Sequence, residues 1–107
     1  MATKATGVTS ALSTTATAKA TAGANEAIVF TNVTVMNNDT TARVVTFYQV
    51  ASGGSATSAN QCLVQSVFAG QSTTIPAGAF VVANGAALFV KIDSGTSVNL
   101  SLNYYTT

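Results

Sequence analysis

The sequence predicts an all-β protein: an antiparallel β-sandwich of jelly-roll type with about seven or eight short strands. Three observations carry that expectation. From Glu26 onward, Val, Thr, Phe, Tyr and Ile gather in short runs, and such side chains suit a pleated, half-buried surface. Asn, Asp, Gly and Ser cut those runs at short intervals, as turns require. The last two runs alternate apolar and polar residues strictly, the period of a strand with one buried face. At 107 residues the chain makes one compact domain, large enough to bury a core. The single cysteine, Cys62, cannot make an intrachain disulfide, so stability must come from packing or association.

Residues 1–24 are expected to form an extended N-terminal arm, with the sandwich domain spanning 25–107. They read as an Ala/Thr repeat in which Val8 and Leu12 are the large apolar side chains. Alanine favours helix, threonine opposes it, and no apolar stripe of helical period is present. An edge strand near Gly7–Ala18 is the element expected there.

The first firm strand is Ala27–Met36, with Val29, Thr31, Val33 and Val35 on one face. Asn37-Asn38-Asp39-Thr40-Thr41 is a turn cluster, because Asn and Asp tolerate left-handed backbone and form Asx-turns. Arg43–Ala51 is the second strand. A polar loop opened by Ser52-Gly53-Gly54-Ser55 runs to Asn60, and Gln61–Phe68 is the third strand. Ala69-Gly70-Gln71 turns into a short strand, Ser72–Ile75. Pro76-Ala77-Gly78 is a tight turn, with the proline φ already set for it. Phe80–Val82 is a short strand, and Asn84-Gly85 turns the chain again. Ala86, Leu88, Val90 and Ile92 then alternate with Ala87, Phe89, Lys91 and Asp93. After the turn Asp93–Thr96, Val98, Leu100, Leu102 and Tyr104 alternate with Asn99, Ser101, Asn103 and Tyr105. Taken as neighbouring strands, these two bring Phe89 and Tyr105 to a shared face. That face either packs on the other sheet or a terminal arm, or forms an interface patch.

Composition excludes several classes of function. Charged residues are 7% of the chain, against about a quarter in an average protein. The net charge of +1, from four cations and three anions, cannot neutralise many phosphates, so nucleic acid is not an expected partner. No run approaches the length of a spanning helix, and no signal peptide is expected, because threonines interrupt any apolar run near Met1. Histidine is absent, which removes Ser-His and Cys-His pairs and imidazole metal ligands. The acids are Glu26, Asp39 and Asp93, and the two aspartates sit in turns, where capping accounts for them. Asn37-Asn38-Asp39 offers one carboxylate, too few for a calcium ion that takes six to eight oxygens. Gly53-Gly54 has no lysine after it and no helix, so it is a loop and not a phosphate cradle. Cys62 opens an apolar strand and reads as a small buried hydrophobe. Three Asn-X-Ser/Thr sequons, at Asn32, Asn38 and Asn99, follow from an Asn/Thr-rich composition. No catalytic residue, cofactor or metal site is expected.

The order of pieces carries a resemblance. A Val/Thr strand ends in Asn (Val33–Asn38); a strand with aromatics follows (Arg43–Val50), then a Ser-Gly-Gly-Ser-Ala loop (Ser52–Ala56). After them come Ala-Gly-Gln-Ser (Ala69–Ser72), Val-Val-Ala-Asn-Gly (Val81–Gly85) and the two alternating strands. Over roughly residues 25–107 this resembles the small β-sandwich virion proteins of tailed bacteriophages, which serve as capsid decoration (cement) proteins or as neck, collar and tail accessory proteins. The resemblance implies a virion protein made in the host cytoplasm, with other virion proteins as partners and homo-oligomers, trimers first. The expected role is a capsid decoration protein that stabilises the assembled shell, with a neck, collar or tail accessory protein as the alternative. Thr3, Lys4, Val8 and Leu12 of the arm, with Phe89 and Tyr105, are the expected assembly contacts. A second alternative is a carbohydrate-binding module using Tyr48 or Tyr105. A fimbrial or secreted subunit ranks behind it, for want of a signal peptide and a paired cysteine. An enzyme ranks last.

Overall fold

The computed structural model describes residues 4–76, 80 and 82–107, with backbone alone for 4–6. The described residues form nine strands: β1 (Lys4–Ala11), β2 (Thr17–Thr21), β3 (Ala27–Asn37), β4 (Arg43–Val50), β5 (Gln61–Val67), β6 (Ser72–Ile75), β7 (Val82–Ala83), β8 (Ala87–Ile92) and β9 (Val98–Thr106). One 3-10 turn, Ser58–Asn60, precedes β5. All pairings are antiparallel. Sheet I has the order β1-β9-β3-β6, with β7 also on β3, and sheet II the order β2-β8-β4-β5. The fold is thus the expected all-β sandwich, with nine strands where seven or eight were expected.

The difference lies in residues 1–24. The described part of this segment, residues 4–24, does not stand apart as an arm: it gives one strand to each sheet. β1 runs the length of β9, from Lys4 opposite Thr106 to Ala11 opposite Asn99. The chain then changes sheet within two residues. Leu12 N–H donates to Val98 of β9 (2.8 Å), while the Ser13 carbonyl accepts from Ile92 N–H of β8 (2.9 Å). β2 follows along β8, with a register shift between Ala18 and Ala20. The expected edge strand over Gly7–Ala18 is therefore two strands in two sheets. Neither needs a broad apolar stripe, because an edge strand borrows its ladder and most of its core from the strand beside it. Leu12, Ala20 and Ala22 supply what burial the segment needs.

The core lies between the sheets. Val33, Val35, Leu100 and Leu102 from sheet I meet Val45, Phe47, Leu88, Val90 and Ile92 from sheet II. Phe80 ties the layers together. Its ring stacks on Phe47 at 4.9 Å and meets the edge of Phe30 at 6.1 Å, and Phe30 in turn meets Tyr104 at 5.7 Å. Phe80 was expected to begin a strand; the strand starts at Val82, and Phe80 acts as a plug. Of the expected Pro76-Ala77-Gly78 turn, residues 77 and 78 lie outside the described residues, as does Val81.

Two facings differ from the alternation. Val29 and Thr31 were expected on the face of Val33 and Val35, yet both are exposed, while Ile28 and Phe30 are buried. The cause is a β-bulge: Phe30 lies opposite Tyr104 and Asn32 opposite Asn103, so Thr31 is an extra residue in β3. One added residue moves every later side chain to the other face. Asn37, expected in a turn, ends β3 and is 1% exposed. Its Nδ2 donates to the carbonyls of Thr41 and Val67 (2.9 Å each), and its Oδ1 accepts from Asp39 N–H (2.9 Å). A turn-forming amide is thus used inside, where it satisfies the buried Val67 carbonyl and ties it to the turn at Asp39 and Thr41.

Candidate functional site

The alternating strands Ala87–Ile92 and Val98–Thr106 are not neighbours. β8 belongs to sheet II and β9 to sheet I, so their core faces meet across the interior and their other faces look outward in opposite directions. Phe89 and Tyr105, expected on one face, therefore sit on opposite outer surfaces. Both are half-buried. Phe89 lies opposite Tyr48 of β4, and Tyr105 opposite Val29 of β3. Of the other expected contacts, Leu12 is 3% exposed and belongs to the core, so it cannot serve as an assembly contact in this fold. Val8 is half-buried, opposite Leu102 on the core side of β1. The side chain of Lys4 and the whole of Thr3 lie outside the described residues.

The outer side of sheet II is partly roofed. Tyr48, Val50 and Ala87 are buried without belonging to the inter-sheet core. The turn after β4 closes on one of them: a Cβ on Gly54 would stand 3.2 Å from Val50 Cγ1. In the loop it opens, Asn60 accepts from Thr57 N–H (2.9 Å) and donates to the Ser55 carbonyl (2.8 Å). Tyr48, expected as a sugar platform, is only 6% exposed and cannot stack on a glycan.

The outer side of sheet I is open and has another character. Uncharged rows cross it: the hydroxyls of Thr9, Ser101, Thr34 and Thr74 in one, and the mixed row Ala11, Asn99, Met36 and Ser72 in the next. Gly7, Asn103 and Asn32 make a third, and Tyr105 with Val29 begins the apolar end of the face. Lys4 is the one charged residue in the strands of this sheet. Among the other described charges, Lys19, Arg43 and Lys91 lie in the strands of sheet II, and Glu26, Asp39 and Asp93 lie between strands. Arg43 donates to Asp39 Oδ2 from Nε (3.0 Å) and Nη2 (2.8 Å) and to Ser94 Oγ from Nη1 (2.6 Å), clamping the β3–β4 and β8–β9 turns together. The Arg43 guanidinium beside Asp39 holds its carboxyl below the usual carboxylate range, helped by Thr40 N–H. Asp93 caps the neighbouring backbone, accepting from Val44 N–H (3.0 Å) and Ser94 N–H (2.9 Å). These are structural uses of charge. Among the described residues, no three His, Cys, Asp or Glu side chains gather as a metal ion would need.

Cys62 occupies a second bulge, between Leu63 opposite Phe47 and Gln61 opposite Tyr48. It is half-buried, its thiol donates to the Phe47 carbonyl (3.3 Å), and burial pushes its pKa up. That is the setting of an inert thiol. Sequence reasoning missed two features of the surface. Val64 and Phe68 are 48% and 74% exposed, although their run reads as a plain apolar strand.

No family model and no curated protein sequence matches this chain. Among solved structures, it is similar in fold to a chain from the disulfide-linked pili of Bacillus endospore appendages. The superposition covers 99% of this chain and 87% of that one, with a TM-score of 0.55 and 12% sequence identity. At that identity the likeness is one of fold, and it takes in the N-terminal strands β1 and β2.

Proposed function

We propose that this chain is a non-enzymatic structural subunit that docks into a larger protein assembly through the outer face of sheet I. Its concrete form is a capsid decoration protein of a tailed-phage virion. The observation that carries the reading is the charge-poor, hydroxyl- and amide-bearing face of four strands, from Thr9 and Ser101 to Thr34 and Thr74. A free protein gains solubility from surface charge, and a broad face without it suits permanent cover. Such a face docks without stripping water from ions and makes hydrogen bonds in their place. The virion form is supported by the resemblance of residues 25–107 to phage decoration and neck, collar or tail proteins.

The test is attachment. Particles from a lysate of cells making both the phage and this chain are purified by density, and the chain is counted per particle. Hundreds of copies support a decoration protein, and a few to some tens support a neck or tail location. Ser101→Arg, at the centre of the face, is expected to abolish attachment while the circular dichroism stays that of the wild type. A chain that remains wholly in the unattached fraction overturns the reading.

The structural likeness to a pilus chain favours a second reading, a filament subunit. One cysteine allows each chain one intermolecular disulfide, so a continuous disulfide-linked filament is not available to it. Electron microscopy of the purified chain separates the two readings: filaments formed by the chain alone favour the second.

A further inference from the structure

We propose that β5 is a self-pairing edge. Residues Leu63–Val67 of one chain lie antiparallel against the same residues of a second copy, joining two copies of sheet II into one continuous sheet about a two-fold axis. The inference deepens the assembly reading by naming a partner, a second copy of this chain, and rests on that reading only in treating the protein as a docked subunit.

The edges of this sandwich are guarded unequally. An unpaired edge offers backbone N–H and C=O groups to any other strand, and proteins blunt it with charge, proline, bulges or short length. β1 carries Lys4 and Gly7. β2 has five residues, with Lys19 and a register shift. β6 has four residues and runs into Pro76, and β7 has two. β5 is seven residues, Gln-Cys-Leu-Val-Gln-Ser-Val, without charge, proline or glycine. Its bulge lies at Cys62, at one end, and Leu63–Val67 pairs with β4 in unbroken register, from Phe47 to Arg43.

The exposed apolar side chains concentrate at the same edge. Among the described residues, the large exposed hydrophobics are Val29, Val64 and Phe68, and two of these belong to β5 or the residue after it. Val67 is buried toward the core, so the alternation turns Val64, Ser66 and Phe68 to the outer side of sheet II. With Gln65 opposite Gln65 of the second copy, the straight part of each strand is used in full and both bulges stay clear. Val64 then lies opposite Ser66 of the second copy, and Phe68 of that copy lies on the diagonal. Diagonal neighbours are about 7–8 Å apart, within reach of an aromatic ring, so the two exposed hydrophobics cover one another twice across the axis. Self-pairing also sets each residue type near its own kind, which only an uncharged strand does without repulsion. The contact is isologous and closes at two copies.

Light scattering gives the first test: the wild type is expected at twice the chain mass of 10.7 kDa. Val64→Glu with Phe68→Glu, and separately Val64→Lys with Phe68→Lys, change exposed positions and are each expected to be folded monomers. Their equimolar mixture is expected to return to the dimer mass, since acid then meets base across the axis. Gln65→Cys in a Cys62→Ser background is expected to crosslink fully under mild oxidation, while Thr9→Cys in the same background stays uncrosslinked. A wild-type monomer at millimolar concentration, a dimer indifferent to both double variants, a mixture that stays monomeric, or a trimer each overturns the proposal. Monomeric protein that still decorates particles in full number sinks self-pairing and leaves the assembly reading standing. A dimer that never attaches does the reverse.

Discussion

Leu12→Ala separates a folded-in N-terminal segment from a detached arm. Leu12 is 3% exposed and packs in the core where the chain passes from β1 toward β2. The substitution removes three carbons, about 2.4 kcal/mol of transfer free energy at roughly 0.8 kcal/mol per buried methylene. A residual cavity adds to this, and buried Leu→Ala changes span about 2.7–5 kcal/mol. Leu12 directly follows an edge strand and can relax more than a central residue, so the expected loss is about 3 kcal/mol. For a chain of 107 residues, unfolding entropy of about 2.1 cal/mol/K per residue converts that to a drop in Tm of about 13 °C. The assay is thermal and urea unfolding followed by far-ultraviolet circular dichroism, with Val8→Ala beside it. Val8 is half-buried, and its loss should be about a third as large. If Leu12→Ala unfolds within about 0.5 kcal/mol of the wild type, as surface changes do, the burial argument fails and residues 1–24 are an arm after all.

Other consequences follow from single contacts. Asn37→Ala strands the Val67 and Thr41 carbonyls and should cost about 2–3 kcal/mol in urea unfolding, more than Asn38→Ala on the exposed neighbour. Gly95 has φ +90 and a Cβ there would lie 2.6 Å from Asp39 Oδ2, so Gly95→Ala should break the Arg43 clamp and cost at least about 1–2 kcal/mol. Asp39 has its pKa lowered in the folded state, chiefly by Arg43, so its stabilising effect is present above the ordinary carboxylate pKa and disappears as pH falls through the lowered value. The stability gap between wild type and Arg43→Gln should accordingly be full at neutral pH and close on strong acidification; a gap independent of pH would refute the electrostatic account. The Cys62 thiol should react with a disulfide reagent at neutral pH at least about tenfold more slowly than in urea-unfolded chain, because burial raises its pKa and its proton is held by the Phe47 carbonyl.

The strands and turns from Glu26 onward were legible because each rests on local chemistry. Asn84 and Gly85 adopt φ of 55° and 83°, as the Asn-Gly pair suggests, and Gly70 turns the chain at φ 70°. β6 and the core alternation of β8 and β9 also stand where the pattern puts them. The assembly surface was less legible. Phe89 and Tyr105 were joined by assuming that consecutive strands pair, and here the turn between them carries the chain from one sheet to the other. In the N-terminal segment, Val8 and Leu12 four residues apart were a strand signal on one face, diluted by the alanine and threonine around them.

By itself the sequence determined that this protein is a charge-poor β-sandwich with turns at set places and without histidine chemistry, because side-chain size, β-branching and turn propensity act within a few residues. Tertiary structure decided which strands became neighbours, where β3 takes in an extra residue at Thr31, and how an Ala/Thr segment of indifferent propensity became β1 and β2. Those outcomes depend on ladders and core space offered by residues far away in the chain, such as β9 to β1 and β8 to β2. Local pattern encodes them only faintly, as in the Val8–Leu12 spacing, because an edge strand takes its order from the partner it joins.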